Sequence, residues 1–237
     1  MRPQVQVVLP PFRNASTVLA VLVIVSSIFW KVALDAGVGL YLVPASVLEG
    51  RVWQLVTWLP AELPSTNAVI FSALILWSTG GPLELLWGRA RFLRFVLVTT
   101  ALAGVLTLLT GALLSSVGEK PFGGGGVMSG IVWVGYGCAL WHAETNIFGV
   151  PVKGRTFALL GVFFAALNAV LSGPQLLVAE GWGLLLTFAY ARFGFPRETL
   201  VRFRSWQLQR DLKKRSKHLK SIDGGRNTGR GSDKYLH

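Results

Sequence analysis

Two polar side chains stand inside runs that are otherwise apolar, and both have the chemistry to react. Ser129 follows the glycine-rich run Phe122-Gly123-Gly124-Gly125-Gly126-Val127-Met128 and directly precedes Gly130 and the apolar stretch IVWVGYGCALW. A serine at a helix N-terminus stands beside N–H groups without helical partners, and such donors stabilise a developing oxyanion. The plainer reading is packing, because small residues at the start of a membrane helix let its backbone approach a neighbour or a substrate. Glu180 sits in the middle of LLVAEGWGLLLTFAY. A carboxyl group at membrane depth is costly, so it ordinarily faces a bundle interior, paired or functional. Alternatively, Gly173-Pro174 puts it within about two helical turns of an interface, where water reaches it.

These residues need a scaffold, and composition says which kind. Of 237 residues, 52% are hydrophobic and 14% are charged, where soluble domains carry about a quarter charged. One soluble core cannot hide that much apolar surface. A bilayer can, at about 20 apolar residues per spanning helix. Six apolar segments stand out, at residues 16–34, 67–88, 93–116, 125–143, 156–173 and 174–194. The expected fold class is therefore all-α integral membrane, a six-transmembrane-helix bundle over 16–194. Residues 1–15 are expected to be a cytoplasmic N-terminus. Their first apolar run is short and broken by prolines, so they do not read as a secretory signal. The single Cys138 rules out an intramolecular disulfide.

The formal charge of +12 invites a nucleic-acid reading until its location is considered. Residues 192–237 hold thirteen of the 23 Lys/Arg against four acids. With the N-terminus cytoplasmic, 20 of the 23 fall on the cytoplasmic side and only Lys31, Arg51 and Lys120 outside. That is the positive-inside bias of an oriented bundle, with both ends in the cytoplasm. In 200–219, Val201, Trp206, Leu208 and Leu212 recur at helical spacing among basic residues. The expected partner of the 195–237 tail is thus the lipid bilayer, through anionic headgroups, and not nucleic acid. From Asp223 onward the tail has the composition of a disordered segment.

The connection from Asp35 to Thr66 is too long for a plain helix–helix loop and too apolar for disorder. Pro44 and Pro60 bracket its apolar run, and Glu49 and Arg51 interrupt it, so it does not span. A structured element at the outer surface is expected, with Trp53 and Trp58 at headgroup depth.

Six helices, a long outer first loop, a Gly-rich segment ending in Ser-Gly at the fourth helix and a Gly-spaced sixth helix resemble rhomboid intramembrane serine proteases. The resemblance covers about residues 16–194. Trp53-Gln54-Leu55-Val56-Thr57 is similar to the family's first-loop Trp-Arg motif, with Gln54 in place of Arg. Gly81-Pro82-Leu83-Glu84, with Trp87-Gly88-Arg89 and Arg91-Phe92-Leu93, resembles the end of the second helix and the turn after it. Val127-Met128-Ser129-Gly130 resembles Gly-x-Ser-Gly, with Val127 in place of the first Gly.

By this resemblance Ser129 is the nucleophile position. Gly183 is the packing glycine of the sixth helix, and Glu180, three residues before it, stands where the family has its basic His. Counting back from Glu84 puts the family's oxyanion-binding His and Asn at Ala68 and Ser72. Trp53, Glu84, Gly130 and Gly183 fill structural positions. A serine needs a base to take its proton, and no histidine is placed to serve. His142 lies thirteen residues along the same predicted helix, about 20 Å away at roughly 1.5 Å per residue. His218 and His237 belong to the tail.

The resemblance therefore implies a pseudoprotease that binds transmembrane protein clients. An active intramembrane serine endopeptidase with Glu180 as an unusual base is the alternative, and a small transporter or channel subunit is the third reading. No cofactor and no metal is expected.

Overall fold

A computed structural model describes residues 14–35, 39–147, 150–173 and 175–194. The tail and the N-terminal residues 1–13, with the expectations placed on them, lie outside the described residues. In chain order the elements are α1 (Ala15–Asp35), α2 (Pro44–Leu48), α3 (Gln54–Thr57), α4 (Thr66–Trp87), α5 (Arg89–Leu113), α6 (Ser115–Gly118), α7 (Gly124–Ala139), β1 (Glu144–Ile147), β2 (Val150–Lys153), α8 (Gly154–Ser172) and α9 (Leu176–Phe193). The chain divides into two compact units, Met1–Arg192 and Phe193–His237, and both Ser129 and Glu180 belong to the first.

Each apolar segment read from the sequence contains one long helix. Three of these, at Ala15–Ala33, Thr66–Trp87 and Arg89–Leu113, are long and apolar enough to cross a membrane. Their outward faces are apolar too: Ile28, Val32, Leu85 and Leu113 are all exposed. Water would penalise that surface, whereas lipid contact costs it nothing.

The helices meet through small residues and borrowed caps. The first N–H groups of α1 have no helical partners, and Glu84 of α4 supplies acceptors, taking the N–H groups of Ala15 and Ser16 at 3.0 Å each. Gly80 lets the two helices approach, since a Cβ there would lie 2.8 Å from Cβ of Ser16. Gly88, at φ 80°, reverses the chain between α4 and α5 in a single residue, a conformation that glycine adopts at no steric cost.

The first loop is structured, as expected, and folds as two short helices rather than a span. Gln54 is buried and fastens it: its Oε1 accepts from the Val43 N–H at 3.0 Å and its Nε2 donates to Gly39 O at 3.2 Å. A two-way backbone bridge joins Leu42 to Phe122 and so ties the loop to the approach to α7. Trp53 is half exposed and donates to Gly39 O at 3.3 Å. Trp58 is fully buried, because Gly104 of α5 leaves a seat for its ring.

α7 runs through the middle, with α4, α5 and α8 packed around it. It can do so because it carries little bulk. Gly135 seats the ring of Phe95, and Gly137 brings the backbone against Ala158 of α8. α7 ends at Ala139, earlier than the hydropathy pattern implied, and the chain then forms an antiparallel hairpin of β1 and β2 that the sequence pattern does not announce. His142 is exposed in the turn after α7 and not on the helix itself.

Candidate functional site

A cavity of about 570 Å³ opens among α4, α7, α8, α9 and the segment that leads into α4. Ser129, Glu180, Ala68 and Ser72, four positions picked out by the sequence, all line it. α7 brings Ser129, α9 brings Glu180, and Ala68 and Ser72 lie one turn apart on α4. Gly183 holds α9 close to α7, since a Cβ there would lie 2.9 Å from Cγ1 of Val127. Gly130 also lines the cavity, with Leu184 of α9 at 3.8 Å from a Cβ built on it. Trp53 and Glu84 are not among the lining residues; they tie the first loop and cap α1 respectively.

The hydroxyl groups of Ser129 and Ser72 are already committed. Ser129 is buried, and its Oγ donates to Gly126 O, one turn back on its own helix, at 2.8 Å. Among the described residues no hydrogen bond joins it to Glu180. Ser72 Oγ donates to Oε2 of Glu62 at 2.9 Å.

The first free N–H groups expected at the start of α7 are taken as well. Gly124 N–H donates to Trp58 O and Gly125 N–H to Ala61 O, at 3.0 Å each, and the Glu62 carboxyl group lies against Gly126. Ser129 stands in the second turn, where N–H groups bond within the helix. This corrects the expectation of orphan donors beside the serine: the loop that precedes α4 supplies their acceptors.

Glu62, to which the sequence pattern alone assigns no role, organises that loop. It is 7% exposed, and its N–H donates to Ser27 Oγ at 2.9 Å. Its Oε1 accepts from the Leu63 N–H at 3.0 Å, and its carbonyl accepts from the Tyr41 hydroxyl at 3.2 Å. Burial pushes its pKa above the ordinary carboxyl value, opposed by the donors at Leu63, Ser72 and Gly126, which favour the charged form. Burial raises Tyr41 too, and the neighbouring Glu62 charge adds to it.

Glu180 reaches the same place from α9. A Cβ built on Gly126 would lie 2.9 Å from Oε2 of Glu62 and 3.6 Å from Oε1 of Glu180. Asn168 of α8 donates to Glu180 Oε1 at 3.1 Å, while Glu180 Oε2 is buried with no hydrogen-bond partner among the described residues. Glu180 lines the cavity from the first turns of α9. Glu62 and Asn168 had a signal of their own, being polar residues within or beside apolar runs.

The chemical capacity of the site follows from these bonds. It offers the carboxyl groups of Glu62 and Glu180, the bonded hydroxyls of Ser129 and Ser72, and the side chains of Ser65, Asn67 and Asn168. Among the described residues no group of three or more His, Cys, Asp or Glu converges as a metal site. Compared with family models and with curated proteins, the chain matches none.

Proposed function

We propose that this protein is a rhomboid-like six-span membrane protein without proteolytic activity, which binds segments of other transmembrane proteins in the cavity around Ser129. The reading extends the three membrane-length helices to α7, α8 and α9, and places both termini in the cytoplasm. One observation carries it. The hydroxyl groups that would have to serve a tetrahedral intermediate are bonded elsewhere, Ser129 to Gly126 O and Ser72 to the Glu62 carboxyl group. A serine without a base keeps its proton, and each absent oxyanion donor removes about 3–4 kcal/mol of transition-state stabilisation. A carboxyl group on Ser72 adds repulsion toward a second negative charge.

The test is a fluorophosphonate probe on the full-length protein in native membranes, alongside model transmembrane substrates. The expected result is no labelling of Ser129 and no cleavage. Restoring the family pattern with Glu180→His, Ala68→His and Ser72→Asn is expected to raise labelling. Labelling of the unmodified protein that Ser129→Ala abolishes would overturn the proposal. The competing reading, proteolysis with Glu180 as base, is favoured only by the presence of both side chains in one cavity. Loss of such labelling in Glu180→Gln would select it.

A further inference from the structure

The cavity holds more acceptors than donors. Among the described residues its lining includes Glu62 and Glu180 and contains no Lys, Arg or His. Both carboxyl groups converge on Gly126, and Oε2 of Glu180 has no hydrogen-bond partner among the described residues. Two carboxylates this close repel one another, and a buried carboxylate is tolerated when a cation or enough donors compensate it.

Around them the wall is aromatic. The rings of Phe71, Trp133 and Phe164 meet pairwise at 5.8, 6.2 and 5.5 Å. Aromatic faces attract cations and also pack against the aliphatic stem of a long basic side chain. At about 570 Å³ the space falls within the roughly 300–1,000 Å³ of small-ligand sites, enough for a side chain whose helix stays outside.

We propose that the cavity receives a lysine side chain from the transmembrane segment of a client, with the ammonium group between Glu62 and Glu180 and the stem along Phe71, Trp133 and Phe164. This rests on the client-binding reading above and names the chemistry of the client. A lysine at membrane depth is costly to its own helix, so a site that neutralises it selects such segments from the apolar majority.

The test uses the full-length protein in nanodiscs of zwitterionic lipid, which removes headgroup attraction. Two synthetic Leu/Ala transmembrane peptides differ only in a central Lys or Leu, and each carries a fluorophore and a photo-crosslinker. The Lys peptide is expected to bind at least tenfold more tightly, with Glu180→Gln bringing it to the level of the Leu peptide. Glu62→Gln is a second variant, and comparing the two peptides needs no variant at all. Equal binding of both peptides, crosslinked to the cavity, overturns the lysine inference and leaves the client-binding reading standing. A lysine preference that survives both variants overturns the assigned site. Binding of neither peptide, together with labelling of Ser129 by the fluorophosphonate, overturns both readings.

Discussion

Ser129 was legible as the reactive candidate because a serine beside a run of glycines is conspicuous, but its hydrogen bonds were not. Ser129 itself donates within its own helix, to Gly126 O. The other candidate hydroxyl, Ser72, is taken by Glu62 of the preceding loop, and nothing in the local sequence of α4 announces that partner. Glu62 also gives the site a pH dependence whose sign can be worked out. Its folded pKa is raised by burial, so its contribution to stability is complete below the ordinary carboxyl value of about 4.3 and is lost as pH rises through the folded value. Within that window the loss runs at up to about 1.4 kcal/mol per pH unit. Thermal unfolding in detergent should therefore show the Tm of Glu62→Gln gaining on that of the unmodified protein as pH is raised from 4 toward neutral. A gap that stays flat or moves the other way would contradict the assigned burial.

At the level of elements, hydropathy located the long helices because six apolar runs are separated by charges, prolines and glycines. It misjudged the end of α7, since Leu140 and Trp141 are apolar enough to continue a helix in sequence, while the hairpin that turns the chain at 144–153 has no strong pattern. It gave no sign that Trp58 is buried while Trp53 is half exposed, because a tryptophan at a surface and a tryptophan seated over Gly104 look alike in one dimension. The glycines of α7 and α9 separate packing from freedom in a way that can be measured. A Cβ on Gly124 would lie 2.7 Å from Trp58 O and 2.8 Å from Cα of Leu59, both backbone, so neither can move aside cheaply. A Cβ on Gly181 meets nothing within 4 Å. Gly124→Ala should destabilise by about 1–3 kcal/mol, as overpacking does, and free the loop that holds Glu62. Gly181→Ala should be neutral or stabilising by about 0.4–1 kcal/mol, through lower entropy of the unfolded chain. Denaturation midpoints of the two variants decide it, and equal effects would undo the close approach argued for α7.

For the whole molecule, the contacts between helix ends bear on orientation independently of the charge count. Glu84, near the end of α4, caps the start of α1. Arg91, just past the α4–α5 turn, donates to the Tyr190 hydroxyl at 3.0 Å and lies 5.4 Å from the centre of the Trp87 ring. The beginning of α1, the α4–α5 turn and the last turns of α9 therefore share one end of the bundle. α7 starts beside Trp58, Ala61 and Glu62 and runs away from them, so Lys153 and Arg155 lie toward the end opposite the first loop. Basic side chains resist translocation, which favours retaining the end that carries Arg89, Arg91 and Arg94 in the cytoplasm. The start of α1 and the end of α9 at one end fit an even number of crossings, as in the six-span reading proposed above. Reporter fusions near Arg91, near Lys153 and at His237 should thus read as cytoplasmic, and a reporter within residues 35–66 as external. A cytoplasmic reading for that loop would remove the six-span arrangement, and with it the membrane depth assigned to Glu180 and the cavity. Opposite readings at Arg91 and His237 would leave the cavity intact but require an odd number of crossings, with one of the shorter helices α7, α8 or α9 failing to span.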